Sequence, residues 1–227
     1  MNAAREEIIA RIRAATGAGA GPGGTAAAAG RAATPAEVDA AYAALPRAYQ
    51  RAHHDVSGDI VALFAERAAD YRAVGQRVPM DGLPAAVASV LAGISQFVVP
   101  DGLPAEWLAE VPAAKQIVRD DPPLSARELD RISGVVTGCA AAIAETGTVI
   151  LDHGPGQGRR ALTLVPDFHL VVVLASQVAA DLPDSFARLD PARPHTLVSG
   201  PSATSDIELI RVEGVHGPRN LHVLIAG

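Results

Sequence analysis

Cysteine, lysine and aromatic residues are all scarce in this chain. Cys139 is the one cysteine among 227 residues. An intrachain disulfide is therefore excluded, and so is an iron–sulfur cluster ligated by this chain alone, because such clusters take several thiolates. Lys115 is the one lysine beside eighteen arginines, which removes most options for Schiff-base chemistry. Aromatics make up 4%, so the core has to be built from Ala, Val, Leu and Ile. Positive charge is not in excess either. The 19 basic and 25 acidic residues are interspersed and sum to a net charge of -6, which leaves no broad basic face for nucleic acid. No apolar run reaches membrane-spanning length, and Arg5, Glu6, Glu7, Arg11 and Arg13 interrupt any signal-peptide core near the N-terminus. A cytoplasmic protein is the expectation.

What is present reads as one α/β domain with an extension. Ile8, Ile9 and Ile12 recur at helical spacing, and the Gly/Ala-rich stretch that follows breaks all periodicity, so residues 1–33 read as a helix and a flexible linker. The linker holds a formal G-x-G-x-x-G match at 19–24, which is rejected: no strand precedes it and Pro22 lies inside it. Thr34-Pro35-Ala36-Glu37 predicts a helix start, and a second helix is expected over 59–73, giving a helical lead-in at 34–77 to a domain spanning 34–227. His53, His54 and Asp55 have metal-ligand chemistry, but adjacent side chains on a helix diverge, so no metal site is expected.

From Val78 onward short β-rich runs alternate with helices. Strands are expected over 96–99, 116–118, 135–137, 147–151, 161–165, 168–174, 196–198, 208–212 and 221–225. Helices are expected over 83–91, 103–108, 125–132 and 177–189. The run Leu170-Val171-Val172-Val173-Leu174 suits a strand covered on both faces, and the pairs late in the chain suggest a mixed sheet.

Four segments could carry chemistry. The block 137–148 gathers Thr137, Gly138, Glu145, Thr146, Gly147 and Thr148 around a short apolar run, a costly composition for a core and a common one at a ligand. If 140–144 forms a helical turn, amides near Gly138 could accept an anion at the carboxyl end of a strand. Glu145 has three roles open to it, as general base, nucleophile or acceptor for a substrate hydroxyl, beside the bland one of satisfying loop amides. The loop 152–160 offers Gly156 and Gln157 followed by Arg159 and Arg160, which could clamp a phosphate or carboxylate or could be a turn with solvated arginines. Ser199, Gly200, Pro201 and Ser202, with Thr204, Asp206 and Glu208 behind them, form a close-approach loop in which Asp206 could bind a ribose or substrate hydroxyl or could cap a helix. His216 and Arg219 place an imidazole and a guanidinium in one turn, where His216 could take a hydroxyl proton while Arg219 binds a carboxylate, or Arg219 could simply pair with Glu208 or Glu213. Cys139 reads as a buried small hydrophobe, and His169 and His222 as satisfied residues of apolar strands.

The 137–148 block, the run Arg159-Arg160-Ala161-Leu162-Thr163-Leu164-Val165-Pro166-Asp167-Phe168-His169, and the two stretches 199–208 and 214–222 together resemble the lactate-utilisation (LUD) domain family. The likeness is specific from Gly134 to the C-terminus and diffuse over 78–133. It implies a three-layer Rossmann-like sandwich related to the sugar-phosphate isomerase and CoA-transferase fold. It also implies a component of an L-lactate utilisation system that binds a small anionic metabolite and works with iron–sulfur partner proteins, which would carry the electrons. Glu145-x-Gly147 further resembles the nucleophile motif of class I CoA-transferases. A stand-alone enzyme that transfers an acyl group through Glu145, or binds a phosphorylated metabolite, is therefore the alternative.

Overall fold

The structure, a computed structural model, describes residues 34–47, 58–204, 212–214 and 216–227, together with residues 7 and 11. The expectations for the linker, for His53, His54 and Asp55, for Asp206 and for residues 208–211 lie outside the described residues. Two compact units divide the chain, Met1–Tyr49 and Gln50–Gly227. The first contains helix α1 (Pro35–Ala43), which begins where Thr34-Pro35 predicts.

The second unit holds helices α2 (Ile60–Asp70), α3 (Leu83–Val90), α4 (Ala126–Leu129) and α5 (Leu182–Ala187). The described residues also form twelve strands: β1 (Val74–Val78), β2 (Gln96–Val99), β3 (Gln116–Arg119), β4 (Gly134–Thr137), β5 (Ala141–Ile143), β6 (Thr148–Leu151), β7 (Phe168–Leu174), β8 (Val178–Ala179), β9 (Thr196–Val198), β10 (Ala203–Thr204), β11 (Val212–Glu213) and β12 (Asn220–Ala226). Six of them make one sheet in the order β1-β12-β7-β4-β2-β3, with every pairing parallel. A second sheet, β8-β5-β6-β9, is mixed, and β10 pairs with β11.

Strand β7 sits in the middle of the large sheet and is buried over its first six residues, as its unbroken apolar run predicts. Its alternating side chains divide two cores. Val171 and Val173 pack with Val223 and Ile225 of β12, Phe64 and Ala68 of α2, and Ala142, Val149 and Leu151 of the second sheet. Leu170 and Val172 face the other way, toward Leu83 and Val87 of α3 and Trp107. The second sheet and α2 thus cover one face of the large sheet, and α3 with the 3-10 turn Ala105–Leu108 covers the other.

Four sequence expectations need correction. The main sheet is parallel throughout, and the mixed pairing belongs to the smaller sheet. Residues 161–165 do not join a sheet: Arg160–Thr163 is a 3-10 turn, and its apolar Leu162 buries itself on Val98, Leu129 and Val135 instead. Residues 141–143 are strand, not a helical turn. The helix expected over 177–189 shortens to Leu182–Ala187, because Val178–Ala179 pairs with β5 and Asp181 then caps a new start at Leu182, with Pro183 in the first turn.

Candidate functional site

The carboxyl end of a parallel sheet is where ligands usually collect. Here that end is filled by the chain itself between β2 and β4. The Gly138 amide donates to the Gly156 carbonyl at 2.8 Å, and the Gly156 amide donates to the Asp101 carbonyl at 2.7 Å. Gly102 and Gly156 both have positive φ, and a Cβ on Gly102 would stand 2.7 Å from Pro155. The glycines therefore serve close packing of loop on loop, with Trp107 against Gly138. The amides that an anion would need at Gly138 are spent, as are those of Ala140 (to Ile150) and Ala144 (to Ala179). Gln157 is spent too, since its amide group exchanges two bonds of 2.7 Å with Asp152.

Glu145, Thr146 and Gly147 form the hairpin turn between β5 and β6. Gly147 has φ 60, and a Cβ there would lie 2.4 Å from the α2 backbone at Ala68. Glu145 is half-buried, and its amide donates to the Ala180 carbonyl at 3.1 Å. The Thr146, Thr148 and Ser199 hydroxyls form a line with steps of 2.7 Å, so the 137–148 block and the Ser199-Gly200-Pro201 loop do meet. Gly200, with φ 85, presses on the Tyr71 carbonyl.

At the amino end of the sheet two cavities adjoin. The inner one, of about 270 Å³, is bordered by Thr163, His169, Thr196, Ser199 and Ser202 as well as Gly200 and Pro201. The outer one, of about 740 Å³, is bordered by Arg131, Asp167 and Arg219. Arg160 and His216 border both. The exposed Arg160 donates from Nη1 to Thr196 Oγ1 at 2.9 Å. Arg219 grips Asp167 with two bonds, 2.6 Å from Nε and 2.9 Å from Nη2, which largely neutralises that wall. Among the described residues Arg160 is thus the one arginine that borders the inner cavity, beside the hydroxyls of Thr163, Thr196, Ser199 and Ser202 and the imidazoles of His169 and His216.

Arg159, although adjacent to Arg160, turns the other way. It binds Asp120 with bonds of 2.6 and 2.9 Å and also donates to the Leu124 carbonyl. This guanidinium, first, and then the Leu124 amide hold the Asp120 carboxyl below its ordinary value, against the cost of burial. Thr137 does not border the inner cavity but is bonded through Oγ1 to Nε2 of His169, which does, at 2.8 Å. Burial pushes His169 down to about 4, so the ring is neutral at ordinary pH. Cys139 is buried beside Gln177, and burial, then the Asp152 charge, push its thiol up to about 12. Of the remaining candidates, Thr204 is described only as a backbone pair with Val212.

Sequence reasoning missed Thr196, Thr163 and the cavity-bordering place of His169. A lone threonine or histidine in an apolar strand carries no local signal. Only the return of β7, β9 and β12 to the same end of the fold brings these residues together. Among the described residues no cluster of His, Cys, Asp or Glu could hold a metal, and no helix is long and apolar enough to cross a membrane.

Comparison with known proteins places this arrangement. The LUD domain family model matches residues 113–226, the part of the chain that carries both cavities. A lactate utilization protein C from Deinococcus radiodurans is 49% identical over 173 residues, covering 74% of this chain and 80% of that protein. A lactate utilization protein C from Bacillus pumilus is 35% identical over 92 residues, which is 37% of this chain and 38% of that one. The crystal structure of a DUF162 family protein from Deinococcus radiodurans superposes with a TM-score of 0.63 at 39% identity, covering 79% of this chain and 99% of the other. The chain belongs to the LUD domain family.

Proposed function

We propose that this chain serves L-lactate utilisation as a component that binds a small 2-hydroxy or 2-oxo carboxylate in the inner cavity, while iron–sulfur partner proteins carry the electrons. The role rests on the likeness to lactate utilization protein C over most of both chains. The ligand reading rests on one observation: Arg160, bonded to Thr196, stands at the wall of a cavity whose other polar side chains are hydroxyls and the imidazoles of His169 and His216, set among apolar ones such as Leu197 and Leu221. A guanidinium is suited to a carboxylate, and the hydroxyls of Ser199 and Ser202 suit the oxygen on the next carbon. His216, at the mouth of both cavities, is the group placed to exchange a proton with that oxygen.

Oxidation of lactate to pyruvate removes two electrons and requires an acceptor. The chain's single thiol, Cys139, is buried and held protonated, so cluster ligands have to come from another protein. The cytoplasm is the compartment in which such a system would operate. The competing reading, a CoA-transferase-like or phosphometabolite-binding enzyme using Glu145 on a sandwich of the CoA-transferase type, has less support, because Glu145 borders neither cavity. Loss of a hydroxylamine-sensitive acyl adduct in Glu145→Ala would be its signature.

The experiment is growth on L-lactate of a strain lacking the gene, complemented with the wild-type chain or with Arg160→Gln, together with co-purification from lactate-grown cells. The expected result is restored growth with the wild type, failure with Arg160→Gln at equal protein level, and recovery of iron–sulfur proteins in the eluate. Normal growth of the deletion strain would remove the proposal.

A further inference from the structure

The glycine loop at one end of the sheet and the Arg160 cavities at the other are joined by an unbroken line of hydrogen bonds. His153 Nδ1 lies 3.1 Å from the Gly158 carbonyl, His153 Nε2 lies 2.9 Å from Thr196 Oγ1, and Thr196 Oγ1 receives Arg160 Nη1 at 2.9 Å. A carbonyl oxygen can only accept, so Nδ1 carries a hydrogen. In the neutral ring Nε2 is then an acceptor, and the hydrogen facing it is that of the Thr196 hydroxyl. With that hydrogen committed, Thr196 turns its lone pairs to Arg160. The first bond thus fixes the hydrogen on Nδ1, and Arg160, which can only donate, fixes Thr196 Oγ1 as its acceptor.

The backbone holds the ring in place at some cost. His153 has φ 59, a left-handed conformation that a non-glycine residue keeps only where surrounding contacts over-determine it. Asp152 supplies those contacts. Its Oδ1 accepts the Gly154 amide at 2.9 Å and Gln157 Nε2 at 2.7 Å, and its Oδ2 pairs with Arg193 at 2.9 Å. A histidine with both ring nitrogens committed, in a conformation enforced by four neighbours, is built to hold something else still.

We propose that His153 and Thr196 are positioning residues that fix the Arg160 guanidinium at the wall shared by the two cavities, through a His153 ring that carries a hydrogen on Nδ1. The proposal rests on the reading of Arg160 as the partner of an anionic ligand, and it names the residues that aim it. Arg160 is exposed, and an exposed arginine has many rotamers to lose on binding. Tethering one nitrogen to Thr196 removes part of that loss in advance. The charged groups around His153 are Asp152 with Arg193 beside it, Asp101 and the Asp120–Arg159 pair across a third cavity, and Arg160 beyond Thr196.

The test has two arms. In the first, nitrogen-15 NMR of the full-length wild-type chain reads the His153 tautomer directly, and exchange broadening reads the Arg160 side chain in wild type and Thr196→Val. The Nδ1–H form, with a mobile Arg160 in the variant, is expected. An Nε2–H ring, or an Arg160 as rigid in Thr196→Val as in wild type, overturns the proposal without any ligand. In the second arm, calorimetry with pyruvate and L-lactate compares wild type, Thr196→Val, Thr196→Ser and Arg160→Gln, each checked for an unchanged unfolding midpoint. The expected result is affinity lower by roughly tenfold in Thr196→Val and restored in Thr196→Ser. Loss of binding in Arg160→Gln with Thr196→Val unaffected overturns the positioning role while sparing the ligand reading. Wild-type affinity in Arg160→Gln sinks the ligand reading instead, and the tautomer and mobility measurements then decide the positioning role.

Discussion

Thr137 and His169 are joined by a 2.8 Å hydrogen bond between neighbouring strands β4 and β7, with both residues buried. The bond lets a basic group lie in the central sheet as a neutral one. Removing its partner tests that arrangement. Thr137→Val keeps the shape but leaves Nε2 without its hydroxyl, and should lower stability by about 1–3 kcal/mol. Thr137→Ser should recover most of the loss. Equal denaturation midpoints for the valine and wild-type chains would refute the bond's importance.

The same histidine should make stability depend on pH. Burial lowers its folded pKa from 6.5 to about 4, so as pH falls the unfolded chain takes up the proton first. Its contribution is complete above 6.5, declines between 6.5 and about 4, and changes no further below that. At about 1.4 kcal/mol per unit the loss is on the order of 3 kcal/mol. Urea denaturation across that window should show a sloping midpoint in wild type and a flatter one in His169→Gln. Identical slopes would exclude His169 as the cause.

Cys139 should be chemically silent. Its thiol is pushed up to about 12, chiefly by burial, and only the thiolate reacts rapidly with alkylating agents. Maleimide labelling should be slow in the native chain and fast in denaturant. Rapid native labelling, or a metal-to-thiolate absorption band on adding iron and sulfide, would contradict the idea that cluster ligands come from another protein.

These strands and this histidine also mark how far the sequence could be read. The 170–174 run and the helix start at Thr34-Pro35 were legible because each depends on local pattern, and both are found. Strand β1 was missed because Gly75, Gln76 and Arg77 lie on an exposed edge, where nothing selects an apolar alternation. The candidate segments were legible by type, but their grouping was not. Arg159 and Arg160 are neighbours in sequence, yet one is fixed on Asp120 and the other borders the cavities. The line from Thr148 to Ser199 spans fifty-one positions.

Gly147 shows a motif-like glycine with a packing reason. Gly147→Ala would put a methyl 2.4 Å from the α2 backbone at a φ of 60, so the hairpin and helix must part, at a cost of roughly 3 kcal/mol or more. Gly93, where nothing lies within 4 Å and φ is not positive, is the control. Gly93→Ala should change stability by less than about 0.5 kcal/mol. If both variants unfold alike, the contact of the 144–147 turn with α2 is not what fixes this glycine.

The two adjacent arginines should separate stability from binding. Arg159 is half-buried on Asp120, whose side chain is 11% exposed, so Arg159→Ala leaves a poorly solvated carboxylate and should cost about 1–2 kcal/mol, between the values for exposed and buried pairs. Because the pairing lowers the Asp120 pKa, its contribution is present above 3.8 and is lost as pH falls through the lower folded value. The stability gap between Arg159→Ala and wild type should therefore close in strong acid. Arg160→Gln removes an exposed side chain with one hydrogen bond to Thr196, and should leave the unfolding midpoint within about 0.5 kcal/mol of wild type. Carboxylate affinity should move the opposite way, falling in Arg160→Gln and persisting in Arg159→Ala under conditions where both are folded. The reverse pattern would place the ligand at the carboxyl end of the sheet, in the cavity beside Asp120 and Arg159, and would require the 154–158 loop to move from between β2 and β4.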